Sequence, residues 1–162
     1  MTYEEVIQFI YKGDLSKIPN ILLCLDPGET TGFAVFNREK LVRFGELSGT
    51  IKHNDINSAL LANFIHEIQP THIVCEDYRI YSHKLKRHAY SRVMTIRLIG
   101  AIEFICQMEN IPLTFQMAAQ AKGFVTDERL KNWGFWYRGV KHARDAIRHG
   151  LYFIIVNNQL KG

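Results

Sequence analysis

The run Leu22–Phe36, LLCLDPGETTGFAVF, constrains the fold more than any other stretch of the chain. An apolar strand ends in the carboxylate of Asp26, turns through Pro27-Gly28 and Thr31-Gly32, and opens into a second apolar strand. A carboxylate at the end of a buried strand is costly unless its charge is compensated, so this turn points to metal or phosphate chemistry. Taken alone, it fits either a phosphate cradle for ATP or a metal carboxylate.

Size narrows the frame. With 162 residues, 47% of them hydrophobic, the chain suits one domain with a substantial core. No stretch approaches the roughly 18 apolar residues of a membrane span, and MTYEEVIQFIYKGD does not read as a signal peptide. Cys24, Cys75 and Cys106 each sit in an apolar segment without a CxxC pair, which predicts buried, reduced thiols of a cytoplasmic protein. The net charge is +4, unevenly placed. From Tyr78 to Arg97 the chain carries Arg79, Lys84, Lys86, Arg87, Arg92 and Arg97 with no acid, interleaved with Tyr81 and Tyr90. Lys and Arg hold phosphates and aromatics stack on unpaired bases, so this block predicts a nucleic-acid surface.

Periodicity supplies the layout. Thr2 and Glu5 form a capping box before Val6, Ile7, Phe9 and Ile10, predicting a short helix that stops at Gly13. Strands are expected at 21–26, 32–37 and 40–47, and a helix over Asp55–Gln69, closed by Pro70, with Ile56, Leu60, Leu61, Phe64, Ile65 and Ile68 inward. A strand over His72–Glu76 again ends in an acid. A helix over about 92–109 with Val93, Ile96, Ile99, Ile102 and Ile105 inward follows, then a strand over Pro112–Gln116. Residues 127–141 read as a short helix and a Trp/Gly-rich loop, in which Trp133, Phe135, Trp136 and Tyr137 form a local apolar cluster. His142–Val156 is the final helix, with Ala146, Ile147, Leu151, Ile154 and Ile155 inward. An antiparallel meander continued by parallel strands is an α/β layout with a mixed five-stranded sheet, as in the ribonuclease H-like fold. The expected division is an N-terminal helical extension over 1–20 and a nuclease domain over 21–158.

Two acids thus stand at the carboxyl ends of two strands, Asp26 and Glu76, where open α/β sheets form their ligand crevice. Asp77 competes with Glu76, and the inward apolar residues of the strand favour Glu76. Asp145 is a third candidate, with His142 one turn earlier on the same helix face. Three converging carboxylates repel one another unless divalent cations lie between them; Mg²⁺ suits such oxygen donors, with Mn²⁺ as the alternative. His53, His66, His72 and His149 carry no expected role.

Ile21–Phe36, Ile73–Tyr78 and Lys141–Leu151 resemble the three active-site segments of the RuvC family of Holliday-junction resolvases, and HARDAIRHGLYF resembles phage-encoded members in particular. The resemblance implies two metal ions per site, with Asp26 bridging them, Glu76 holding one and Asp145 with His142 completing the other. It implies a contact of Lys122 with the scissile phosphate or the nearby backbone, and a homodimer that nicks two opposing strands of a four-way DNA junction. Tyr78 or Tyr81 takes the place of an aromatic wedge, and Arg79, Lys84, Lys86, Arg87 and Arg92 belong to the DNA surface. The N-terminal helix has no counterpart in the bacterial enzymes. Broader cutting of flaps and forks, and junction binding without cleavage, are the alternatives. The sugar-kinase and chaperone ATPases share a similar Asp-x-Gly-Thr turn, but they need two such domains, and this length supplies one.

Overall fold

The computed structural model describes residues 1–78 and 89–159. Five strands form one mixed sheet: β1 (Ile21–Asp26), β2 (Thr30–Asn37), β3 (Lys40–Ser48), β6 (His72–Asp77) and β7 (Leu113–Met117), in the order β3-β2-β1-β6-β7. β1 runs antiparallel to β2 and parallel to β6, and β6 runs parallel to β7. This is the expected antiparallel meander with a parallel continuation.

Alternation along the strands gives the sheet two buried faces. Leu22, Cys24, Ala34, Phe36 and Val74 face helix α6 (Lys141–Ile155) and helix α1 (Tyr3–Tyr11). Leu23, Leu25, Phe33, Ile73 and Cys75 face helices α2 (Ser58–Ile68) and α3 (Ala89–Glu109). The result is a three-layer sandwich with the sheet in the middle. All three cysteines are buried and free.

Several details differ from the periodicity. α2 begins at Ser58, capped by Asn57, which accepts a hydrogen bond from the backbone N–H of Leu60 at 3.1 Å. Asp55 and Ile56 instead form β5 (Asp55–Ile56), which pairs with β4 (Ile51–Lys52) in a small hairpin. On α3, Ile99, Ile102 and Ile105 are buried as expected, but Val93 and Ile96 are exposed and Met94 and Leu98 take their places. Apolar residues nearly encircle this helix, so spacing alone could not choose its inward stripe. On α1, Tyr3, Ile7 and Tyr11 are buried while Phe9 is exposed, because the i, i+4, i+8 row faces the core. Helix α4 (Ala118–Phe124) precedes α5 (Asp127–Asn132), and only the second was expected.

The aromatic cluster has a defined task. The Tyr3 ring packs edge-on against Phe135, with centroids 5.0 Å apart, and lies 5.9 Å from Trp133. Tyr137 lies 4.2 Å from Phe44 of β3. The loop after α5 therefore clamps α1 onto the α6 face of the sheet.

Candidate functional site

Sheet register places the acids. Leu25 pairs with Cys75 across the parallel β1–β6 ladder, so the next residues, Asp26 and Glu76, come level at the strand ends. Glu76 pairs in turn with Gln116 on β7. The alternation that turns Leu22, Cys24 and Val74 toward α6 also turns Asp26 and Glu76 that way, and turns Asp77 to the opposite face. The turn after Asp26 is held by buried hydroxyls. Thr31 Oγ1 lies 2.9 Å from Thr50 Oγ1, and Thr50 donates to the Gly28 carbonyl at 2.8 Å.

Two glycines let α6 approach. A Cβ on Gly32 would lie 2.1 Å from the carbonyl oxygen of His142, and one on Gly150 would lie 2.3 Å from the Phe36 ring. The helix therefore lies directly on β1 and β2, with His142, Asp145 and His149 at i, i+3 and i+7 along its sheet-facing side. His142 Nδ1 lies 3.2 Å from Asp26 Oδ2, and the backbone N–H of His142 donates to Glu46 Oε1 at 3.1 Å. Lys122, on α4, lies 3.2 Å from Asp145 Oδ2, and Arg148 Nε lies 3.4 Å from Asp145 Oδ1.

His149, for which the sequence predicts no role, belongs to the cluster. It is buried at 1% exposure, with Nε2 3.0 Å from Glu76 Oε2 and Nδ1 2.9 Å from Gln116 Oε1. Gln116 is equally buried, and its Nε2 has no hydrogen-bond partner among the described residues. With the Gln116 oxygen toward the ring, both imidazole nitrogens donate; with the amide turned over, it would donate to a neutral imidazole. The signal in the sequence is spacing: His149 stands four residues after Asp145 and seven after His142.

The electrostatics are those of crowded carboxylates. Burial, reinforced by the negative charges of Glu76 and Asp145, pushes the Asp26 carboxyl up to about 8. Burial also opposes ionisation of Glu76, but the hydrogen bond and attraction from His149, aided by Lys122, outweigh it and hold Glu76 below its ordinary range. The two carboxyls titrate as a pair, with Asp26 driven up and Glu76 down. Among the described residues, no group of three or more His, Cys, Asp or Glu side chains is already arranged to hold an ion. Asp26, Glu76 and Asp145 nevertheless lie together as an open, oxygen-rich cluster, with Lys122 and Arg148 against Asp145 and His149 against Glu76. That donor set suits a hard cation such as Mg²⁺, which binds through one or two carboxylates and completes its shell with water and substrate phosphate.

Of the expected DNA surface, Arg79, Tyr81, Lys84, Lys86 and Arg87 lie outside the described residues. Tyr78 is half-buried and packs against the α2/α3 side of the core, and Arg92 is half-buried on α3. The phenol of Tyr90 bonds to Asn54 in the β4–β5 turn.

No protein-family model matches the sequence, and no curated protein matches it in sequence. Solved structures do match in fold. Thermus thermophilus RuvC in complex with a Holliday junction substrate superposes with a TM-score of 0.66 at 14% identity, over 86% of this chain and 95% of that one. The fowlpox virus Holliday junction resolvase gives 0.57 at 13%, over 83% and 97%. The yeast mitochondrial Holliday junction resolvase Ydc2 gives 0.55 at 16%, over 98% and 87%. The chain has the fold of these junction resolvases, the mixed-sheet, ribonuclease H-like architecture expected from its sequence.

Proposed function

We propose that this protein is a metal-dependent, structure-selective DNA endonuclease of the RuvC type, which resolves four-way junctions by paired nicks as a homodimer. One observation carries the reading. Asp26, Glu76 and Asp145 come from two strand ends and one helix to a single open cluster, with Lys122 and His142 at hydrogen-bonding distance from two of them. The fold shared with three junction resolvases supports it.

Asp26, Glu76 and Asp145, with His142, would hold the divalent metal. That metal would supply an activated water and charge stabilisation for phosphodiester hydrolysis. The remaining chemistry belongs to the chain. Lys122, whose side chain is half exposed, neutralises Asp145 and is free to turn its ammonium toward an incoming phosphate oxygen. His142 can take or return a proton beside Asp26. His149 acts through Glu76 as a positioning residue, fixing the carboxylate's direction and favouring its ionised form. Water adds to phosphorus, the bond to the 3′ oxygen breaks, and that oxygen takes up a proton, leaving a 5′-phosphate and a 3′-hydroxyl.

The test is to incubate the protein with a labelled four-way junction, a flap and a linear duplex, with and without Mg²⁺. Paired, Mg²⁺-dependent nicks in the junction alone are expected. Equal cutting of all three would sink the resolvase reading in favour of a general nuclease, and binding without any cutting would favour a junction-binding module.

A further inference from the structure

Between α4, α5 and the first turns of α6 lies a cavity of about 370 Å³ that shares Lys122 and Asp145 with the carboxylate cluster. Lys141, Arg144 and Arg148 complete its cationic lining, so four cations face two carboxylates, Asp145 and Asp127. Arg148 is 7% exposed, and its Nε, with no hydrogen bond among the described residues, lies 3.4 Å from Asp145 Oδ1 as an ion pair. Its other nitrogens reach the Val125 carbonyl and Asp127, whose side chain is 61% exposed and so screened by water. Arg144 lies with its guanidinium 4.4 Å from the centre of the Trp136 ring. The first turn of α6 carries no acid, so Lys141 and Arg144 add positive charge to the positive end of the helix dipole. One carboxylate, that of Glu46, meets this end at the His142 N–H and offsets part of that charge.

We propose that this cavity is a phosphodiester subsite, which takes the backbone phosphate adjoining the one held at Asp26, Glu76 and Asp145. The inference rests on the nuclease reading and extends it. The shared residues put an occupant directly beside the reacting phosphate. Trp136 is already covered by Arg144 and by the Lys131 ammonium 4.7 Å from its centre, so the wall offers cations for a phosphate rather than an open ring for a base. Strand position is then fixed from the α4–α6 side by residues outside the basic block at 79–97. Arg fixes phosphate by its fork of donors, and Lys by point charge.

The experiment uses the full chain carrying Asp26→Asn, so that junctions are bound without being cut. Affinity for a fluorescent four-way junction is measured over a salt series for this protein, for the same protein with Lys141→Glu, and with Arg144→Gln. Junctions bearing one neutral methylphosphonate on either side of the cut site are measured alongside, with inorganic phosphate as a competitor. Lys141 is exposed, so its replacement leaves the core intact, and thermal melts check both variants. The expected result is about a tenfold loss of affinity and a salt slope smaller by about one for either variant. One methylphosphonate should weaken the parent and add nothing in the variants. Unchanged affinity and slope, or an equal methylphosphonate penalty in parent and variants, would overturn the subsite while leaving the nuclease reading intact. Inorganic phosphate held tightly with no methylphosphonate coupling would mark a free-anion site and also overturn it. A wild-type protein that neither binds nor cuts branched DNA would overturn both readings.

Discussion

His149 Nε2 lies 3.0 Å from Glu76 Oε2, deep between α6 and the sheet, while Nδ1 of the same ring meets Gln116 from the neighbouring strand. A buried imidazole thus ties one carboxylate of the cluster to the scaffold. Replacing it by Ala leaves Glu76 without its strongest partner, at about 1–3 kcal/mol of stability. Cleavage and metal affinity should each fall by about 10–100-fold, as for other supporting residues behind metal ligands. His149→Gln, which keeps a donor there, should restore part of both. Titration of Mn²⁺ alongside cleavage rates checks this; a variant with normal metal affinity and rate would remove His149 from the machinery.

Asp26→Asn should abolish cleavage and leave junction binding within about threefold of wild type, because binding rests mainly on phosphate contacts rather than on one carboxylate. Gel shift and nicking on the same junction measure the two effects separately. Normal cutting by this variant would refute the assignment of Asp26.

The raised Asp26 carboxyl also makes a stability prediction. Folded, it keeps its proton to about pH 8; unfolded, it releases it near 3.8. Between those values the folded state binds more protons, so this group's contribution is fully present below the unfolded value and is lost as pH rises through about 8. Metal-free wild type should therefore melt progressively lower from about pH 5 to about pH 9. Asp26→Asn should match it near pH 4 and exceed it near pH 9, by up to roughly a few kcal/mol. Mg²⁺ should raise the wild-type melt at high pH more than that of the variant. Parallel melting curves across the range would contradict this.

Gly32→Ala inserts a Cβ 2.1 Å from the His142 carbonyl oxygen and 2.2 Å from its carbon, both backbone atoms that cannot turn aside. A cost of about 1–3 kcal/mol or more is expected, lowering the melt by at least about 2–4 °C in a chain of this size. Cleavage should fall further than stability explains, since α6 can relieve the clash only by carrying His142 away from Asp26. Rates measured well below the melting temperature separate the two.

Removing residues 1–14 should destabilise the whole domain rather than detach an appendage. Tyr3, Ile7 and Tyr11 are buried in the same cluster as Phe36, Leu151 and Phe153. Tyr3→Ala alone should cost about 3–5 kcal/mol, as other large aromatic truncations do. A truncated chain that melts like the full one would show the helix to be a dispensable extension.

Sequence alone determined the layout and singled out three candidate acids. Strand runs, turn residues and the helical spacing of 142–156 are local signals, set by side-chain period and backbone preference, so they are legible along the chain itself. Asp26, Glu76 and Asp145 stand out because an acid closing an apolar run needs compensation, and because the third lies on a helix bound for the same crevice. Other features needed the fold. Which stripe of α3 turns inward was undecidable where apolar residues nearly surround the helix. The clamp of α1 by Phe135 and Trp133 joins segments at opposite ends of the chain. The pairing of His149 with Glu76 depends on Gly32 and Gly150 letting α6 lie against β1 and β2, an approach fixed by packing between distant segments rather than by any local preference. Lone residues in a sequence show what they can do chemically; tertiary contact decides what each faces, and hence which of them act together.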